Sequence, residues 1–164
     1  MERLLPLAEQ IAALLKARGE TVAVAESSTG GLIAAALVAI PGASAYFMAG
    51  SVIYTAAAQR ALLQIPRERL QGIRASTEPY ALLAAQTIRT RIATHWGIAE
   101  TGATGPTGNP YGDAAGHSCV AIAGPVERAL TIETGRSDRV DNMWVFAGRA
   151  LELFHQCLTE ARAP

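Results

Sequence analysis

The sequence predicts an α/β fold: a single three-layer domain over residues 1–164, with helices packed on a mixed, mostly parallel sheet of about five strands. Short β-branched segments alternate with apolar helical segments, and the last two strand segments read as a hairpin. The chain has 164 residues, half of them apolar, which is enough for one sizeable core. We find no internal repeat and expect one domain without a linker.

The first elements are a helix, a strand and a second helix. Apolar residues recur at helical spacing from Leu4 to Leu15 and Gly19 follows them, which predicts a helix over about 4–18. The segment TVAVA reads as a strand, and ESSTGG leads directly into the apolar helix LIAAALVAI, which ends before Pro41. The expected local order is strand, tight turn, helix.

A second strand and two further helices come next. Phe47 to Tyr54 is predicted as a buried strand, and Thr55 suits the N-cap of the short helix AAAQRALL, which Pro66 closes. The residues STEP at 76–79 are typical of a helix start, and the helix they begin reaches about Thr94.

The last part of the chain combines a loop, a hairpin and a helix. Trp96 to Thr101 is compatible with a strand, whereas TGATGPTGNPYGDAAG is too rich in Gly and Pro for regular structure. GHSCVAIAG and RALTIET are predicted strands joined by a turn at Gly124 and Pro125, and residues 140–160 form a predicted terminal helix.

The charge balance and the N-terminus exclude several classes of partner. Fourteen Lys and Arg match fourteen Asp and Glu, so no global field attracts nucleic acid or an anionic membrane. The N-terminus has helical periodicity and acidic residues instead of a signal peptide, and no run of about 18 apolar residues reads as a membrane span. We expect a cytoplasmic protein with neither nucleic-acid nor membrane partners.

The cysteines and histidines give no metal-binding pattern. Cys119 and Cys157 lie far apart and outside any CxxC motif, so buried free thiols are expected. His95, His117 and His155 show no ligand spacing such as HxxxH. The spacing of these residues therefore predicts no metal site.

Two loops hold most of the small polar residues, and both follow strands, where open α/β sheets place their ligands. We expect them to face one crevice. In the first loop, the free N–H groups and dipole at the helix start suit a phosphate or a developing oxyanion. The alternative is that Ser28 or Thr29 only caps the helix and the glycines only permit the turn. The polar residues of this loop are Ser27, Ser28, Thr29, Gly30 and Gly31.

The second loop spaces its glycines as Gly102, Gly105, Gly108 and Gly112, which matches neither GxGxxG nor GxxxxGK[ST]. Dinucleotide-binding and P-loop functions are therefore not expected, and a mobile surface connection is the alternative role. Tyr54, at the end of a predicted strand, either places its hydroxyl in the crevice or packs in the core with that hydroxyl satisfied.

Two separated motifs resemble one known family. AESSTGG is similar to the signature AESCTGG, with Ser28 at the Cys position, and PGAS, Phe47, Gly50, Val52, Tyr54 and LLQIP keep the family's order. TGATGPTGNPYGDAAG resembles the family loop TGIAGPGGGxxxKPVG at the same length. The chain thus resembles, from its first helix to its last, the CinA C-terminal family of nicotinamide-mononucleotide deamidases. The resemblance implies conversion of nicotinamide mononucleotide and water to nicotinate mononucleotide and ammonia, without cofactor or metal.

The resemblance also implies roles for individual residues. Ser27 becomes the nucleophile on the carboxamide carbon, Tyr54 takes the position of the active-site tyrosine, and Thr101 falls on the Thr of TGIAGP. Such a site needs a base for the seryl proton, N–H donors for the oxyanion and contacts for the phosphate. The helix start and the loop glycines, including Gly102 and Gly105, would supply the last two.

Several charged positions depart from the family pattern. Gln59 stands where YSNEAK has its lysine, and a glutamine side chain cannot accept and return a proton at neutral pH. Asp113 replaces the lysine of KPVG, and His117 replaces the Thr that usually follows that motif. The family's GDR becomes GRSDR, which leaves Arg136 or Arg139 to meet a phosphate.

Two functional interpretations stay open at this point. The first is an amidase acting on a small pyridine nucleotide, with His117 as a relocated base or with Tyr54 and Gln59 aligning a water. The second is a non-catalytic member that binds a nucleotide or another phosphorylated ligand, or contributes to an assembly. Because the apolar helix GLIAAALVAI can bury against a symmetry mate, we expect a closed homo-oligomer.

Overall fold

The computed structural model describes residues 1–161 as five strands and five helices, with short π and 3₁₀ turns between them. The helices and strands, in chain order, are α1 (Leu5–Arg18), β1 (Val22–Glu26), α2 (Leu32–Val38), β2 (Phe47–Val52), α3 (Ala56–Ala58), α4 (Glu78–Ile92), β3 (Trp96–Ala103), β4 (His117–Ala123), β5 (Arg128–Glu133) and α5 (Arg139–Glu160).

The five strands form one mixed sheet in the order β2-β1-β3-β4-β5. β1 is parallel to β2 and β3, whereas β4 is antiparallel to both β3 and β5. Four strands therefore run in one direction and β4 in the other, which confirms the predicted α/β class and the mixed sheet. The carboxyl ends of β1, β2 and β3 lie side by side at one edge of the sheet.

Helices cover both faces of the sheet and make three layers. α1, α2 and α5 pack together on one face, over branched residues such as Val24, Ile98 and Val120. α4 lies on the other face, where the strands present small residues such as Ala25 and Ala99 that allow the helix to approach closely. Each layer of helices thus encloses its own apolar cluster against the sheet.

The N-cap at Thr55 and the C-terminal hairpin form as predicted. The Thr55 hydroxyl accepts from the backbone N–H of Ala58 at 3.1 Å, and β4 and β5 pair around the turn that begins at Gly124. Cys119 and Cys157 are free and buried, as expected. No helix within residues 1–161 is both long and apolar enough to cross a bilayer.

Two strands differ from the prediction. Strand β2 lies at the sheet edge with Met48 and Val52 exposed, so the expectation of a buried strand is wrong. It ends at Val52, and Tyr54 lies beyond it. Strand β3 extends to Ala103, into the segment predicted as irregular, because its last residues pair with β4.

Two helices are shorter than expected. α2 ends at Val38 instead of Ile40. The helix predicted over 56–63 is the short α3 followed by a π-helical turn, Gln59–Leu63. The predicted domain reaches residue 164, and its last residues, 162–164, lie outside the described part of the chain.

Candidate active site

A cavity of about 570 Å³ opens at the carboxyl ends of β1, β2 and β3. Ser27 directly follows β1, Tyr54 lies just beyond β2, and Thr101 and Gly102 belong to the end of β3. The prediction that both loops face one crevice is confirmed for these residues. The volume is in the range of small-molecule sites. The apolar part of the wall consists of Ala25, Ile53, Leu63, Leu70, Ile73, Tyr80 and Ala84.

Ser27 is one of the residues that line this cavity. The residue is half-buried, and its backbone N–H donates to Oε2 of Glu100 at 3.1 Å. Within residues 1–161, no hydrogen bond of the Ser27 hydroxyl is found, so this group is available to a ligand.

Glu100 is the residue of this site that the sequence analysis missed. Its buried carboxylate accepts from the N–H groups of Ser27 and Thr29 and from the hydroxyls of Ser28 and Ser118, four donors, and the Thr29 hydroxyl, which donates to Glu26, lies 3.0 Å from it. A carboxylate offers about four lone-pair sites, so none remains for a further proton. Glu100 therefore fixes the ESSTGG loop and cannot act as a free base. A charged residue within the otherwise apolar strand GIAETGA was the signal that could have identified it.

Glu26 occupies the start of α2. Its carboxyl group accepts from the N–H groups of Ile33 at 3.1 Å and Ala34 at 3.0 Å, and from the Thr29 hydroxyl at 2.6 Å. Burial raises the pKa of Glu26, and the charge of nearby Glu100 raises it further, although its hydrogen bonds act in the opposite direction. The protein's own carboxyl groups thus take the place of an external anion here. The expectation that this helix start binds a phosphate or oxyanion finds no support.

The alternative prediction for the first loop, that Ser28 or Thr29 caps the helix, is also wrong. Neither Ser28 nor Thr29 caps α2, because the N-cap is Gly31, with a φ of 103° that favours glycine. Ser28 and Thr29 are buried and face the two glutamates, and neither they nor Gly30 line the cavity. These residues therefore support the cavity wall without forming part of its surface.

Gly102 does line the cavity, but its lack of a side chain serves the sheet. A Cβ atom there would lie 2.5 Å from the carbonyl oxygen of His117 on the paired strand. Gly105 lies outside the lining, and its carbonyl oxygen accepts from Arg139 at 2.8 Å.

Arg139, in the first turn of α5, reaches the mouth of the cavity. Its guanidinium donates to the hydroxyl oxygen of Tyr54 at 2.9 Å, and Tyr54 is exposed rather than part of the core. Both partners of Arg139 are neutral, and no carboxylate of residues 1–161 pairs with it. Arg136 instead lies 3.9 Å from Asp141. Of the two arginines considered for a phosphate, Arg139 is the one that contacts the cavity lining, through Tyr54.

His117 is buried outside the cavity lining and has both ring nitrogens engaged. Nδ1 contacts the Glu133 carboxylate, and Nε2 lies 2.9 Å from the carbonyl oxygen of Ser76. Burial lowers the pKa of His117, but these two contacts outweigh it and raise the pKa overall. Since both partners accept, both nitrogens donate, and no lone pair is left for the Ser27 proton. The hypothesis of His117 as a relocated base is therefore not supported.

Gln59 and Thr101 complete the polar lining. Thr101 Oγ1 accepts from the N–H of Ser76 at 3.2 Å, which leaves its proton free to be donated. Gln59 is 8% exposed, and within residues 1–161 its Nε2 has no hydrogen-bond partner. An unsatisfied buried donor costs about 1–3 kcal/mol of stability.

The glycine-rich loop is anchored rather than free. The Asp113 carboxylate accepts two hydrogen bonds from the Arg74 guanidinium, at 2.6 and 2.8 Å, and a third from the Asn109 side-chain amide at 2.8 Å. The hydrogen bond from Arg74 lowers the pKa of Asp113 to about 2. The guanidinium of Arg74 also stacks on Tyr111, 5.8 Å from the ring centre, and Tyr111 lines the cavity.

Residues 1–161 contain no group of three or more His, Cys, Asp or Glu side chains arranged to hold a metal ion. Several polar residues that line the cavity, Ser27, Tyr54, Thr101 and Gln59 among them, instead carry hydroxyl or amide groups suited to hydrogen bonds with an organic ligand.

Comparison with known proteins points to one family. A family model described as the CinA C-terminal domain matches residues 4–158. A CinA-like protein from Gloeobacter violaceus is 43% identical over 130 residues, which are 79% of this chain and 30% of that protein. A CinA-like protein from Synechococcus elongatus is 36% identical over 160 residues, 93% of this chain and 37% of that protein. The chain thus spans roughly a third of the length of the curated relatives it matches.

Solved structures share the same fold over their full length. A CinA superfamily protein from Klebsiella pneumoniae superposes with a TM-score of 0.88 at 27% identity, covering 96% of this chain and 99% of that one. A competence/damage-inducible protein from Agrobacterium tumefaciens gives a TM-score of 0.85 at 31% identity, with 96% of each chain covered.

Proposed function

The chain belongs to the CinA C-terminal domain family, and on that premise we propose that its cavity binds nicotinamide mononucleotide and that Ser27 hydrolyses the carboxamide. The products are nicotinate mononucleotide and ammonia. The observation that carries the proposal is Ser27, which lines the cavity and whose hydroxyl has no partner in residues 1–161, while Glu100 accepts from its backbone N–H.

Two groups of polar residues support one orientation of the ligand. Ser27, Gln59 and Thr101 line the cavity with hydroxyl and amide groups, which suit the carboxamide. Arg139, held by Tyr54 at the mouth, offers an unpaired guanidinium, the group that recognises phosphate best. In this orientation the ribose spans the middle of the cavity.

The proposed reaction follows the serine amidase scheme. Ser27 Oγ attacks the carboxamide carbon, the C–N bond breaks with release of ammonia, and water then cleaves the acyl-enzyme to the carboxylate. Because Glu100 is saturated and His117 has no free lone pair, the seryl proton passes through a bound water to the leaving nitrogen. We assign the Thr101 hydroxyl as the donor to the oxyanion, because its proton is free.

A second candidate is a family member that binds the nucleotide without turning it over. It is favoured by one specific observation: no side chain of residues 1–161 that lines the cavity offers an unengaged proton acceptor of the lysine or histidine kind. Loss of a general base typically removes about 10² to 10⁴ of the rate.

Ammonia release from nicotinamide mononucleotide, measured beside calorimetric binding, separates the two candidates. Release that disappears in Ser27→Ala and persists in His117→Gln supports the amidase without a histidine base. Binding with no release above the Ser27→Ala background supports the second candidate. Failure of the purified protein to bind the nucleotide at all contradicts both.

A further inference from the structure

Gln59 lines the cavity and carries a buried polar group that the rest of the fold does not explain. Within residues 1–161, its Nε2 is the buried side-chain nitrogen or oxygen that has no hydrogen-bond partner, and the residue is 8% exposed. The side chain lines the cavity beside Ile53 and Leu63, which offer no hydrogen bonds. A leucine would suit these neighbours better, so packing does not account for a glutamine here.

A ligand that pairs with the amide accounts for it. The glutamine side chain offers two N–H donors and a carbonyl acceptor side by side, and a carboxamide offers the complementary acceptor and donor. In such a pair, Nε2 donates to the ligand's carbonyl oxygen and Oε1 accepts from its NH₂ group. A carboxylate accepts from Nε2 equally well, but its second oxygen faces Oε1, and two acceptors cannot bond.

The surroundings of Gln59 also favour a carboxamide over a carboxylate. Glu100 lines the same cavity, and its carboxylate repels a second negative charge nearby. Arg139 contacts Tyr54, and Arg74, which lines the cavity, has its guanidinium paired with Asp113, so neither offers Gln59's neighbourhood an unpaired positive charge for a carboxylate. The hydroxyls of Ser27 and Thr101 can rotate to donate or accept, so they do not distinguish the two ligands.

We propose that Gln59 is a specificity-determining residue that recognises the carboxamide of the ligand and makes the site bind a carboxamide in preference to the corresponding carboxylate. The inference rests on the proposed function only in placing the ligand in this cavity. It requires no turnover, and for the hydrolysis it means that the product binds more weakly than the substrate.

The test compares the binding of nicotinamide mononucleotide and nicotinate mononucleotide by calorimetry. Ser27→Ala is the parent, so that hydrolysis cannot alter the ligands. We expect the carboxamide to bind about tenfold or more tightly than the carboxylate, and Gln59→Leu to remove this preference. Gln71→Leu, at an exposed glutamine outside the cavity lining, should keep it.

A second measurement uses the ligand-free protein. Because Gln59→Leu replaces an unpaired buried amide with an apolar group, it should raise the melting temperature while it weakens carboxamide binding. A glutamine with a structural role gives the opposite shift.

Three results would overturn the inference: equal affinity for the two nucleotides, a preference that survives Gln59→Leu, or no binding of either nucleotide. A protein that prefers the carboxamide but releases no ammonia refutes the hydrolysis alone and leaves the role of Gln59 supported.

Discussion

Arg139 and Tyr54 are joined by a hydrogen bond of 2.9 Å between the guanidinium and the phenolic oxygen. The bond connects the first turn of α5 to the segment that follows β2, although the two residues are 85 positions apart in the sequence. It holds a cation without a carboxylate partner at the mouth of the cavity and leaves the Tyr54 proton free to be donated.

Arg139→Gln should weaken binding of nicotinamide mononucleotide about tenfold or more, because a charge-assisted contact to phosphate is lost. Binding of the phosphate-free riboside should change little. Calorimetry with both ligands measures the difference, and Arg136→Gln is the matched control. Equal losses for the two ligands would contradict the phosphate role.

Glu100→Gln should lower the free energy of unfolding by about 3 kcal/mol. The NH₂ group of the new amide would face the buried N–H and O–H donors that the carboxylate now accepts from, and two donors cannot form a hydrogen bond. Urea denaturation measures the change. Glu68→Gln, at an exposed glutamate, should stay within about 0.5 kcal/mol of the parent. A neutral effect of Glu100→Gln would show that the carboxylate does not hold the loop.

Asp113→Asn should loosen the glycine-rich loop, since the pair with Arg74 is lost. Cleavage by chymotrypsin at Tyr111 should become faster at neutral pH. The hydrogen bond from Arg74 depresses the pKa of Asp113 from 3.8 to about 2, so the pair stabilises the loop above about pH 3.8 and is lost as pH falls toward 2. Protection of the loop from hydrogen exchange should fall over that range in the parent and not in Asp113→Asn.

The free energy of unfolding should fall at alkaline pH because His117 loses its proton. Its pKa is raised above the ordinary value of 6.5, so its contacts with Glu133 and Ser76 are fully present below that pH and are lost as pH rises through the raised pKa. Urea midpoints measured from about pH 6 to about pH 9 should decline, and His117→Gln should flatten the decline. A parent profile as flat as that of the variant would contradict this account.

The expectation of a closed homo-oligomer stays a prediction. The side chain of Val38, at the end of α2, is 52% exposed, so this helix offers apolar surface that a second copy can cover. Light scattering should give a mass that is a multiple of the single chain's mass, and the mass of one chain would contradict the prediction.

Most of the fold was predictable because the signals are local. Helical periodicity, the threonine N-cap at Thr55 and the turn at Gly124 each depend on a few neighbouring residues. The meeting of Ser27 and Thr101 at one cavity was also predictable, since parallel strands place their carboxyl ends at the same edge of a sheet.

The chemistry of the site was less predictable because it depends on strand order and register. The edge position of β2, which exposes Met48, follows from the order of all five strands. His117 is engaged because the β4–β5 register places Glu133 directly opposite it. Glu100 meets Ser28 across 72 positions of sequence, a contact that no local pattern encodes.

The network of Glu100 behaves as a built-in substitute for a bound anion. Loops that bind anions often order only when the anion arrives, and the cost of ordering is then subtracted from the affinity. Here the anion is a side chain of the protein, so the ESSTGG loop is already in its final shape before any ligand enters. Ligand entry should therefore leave the backbone around Ser27 in place, and crystals of the free protein should accept a soaked nucleotide without cracking.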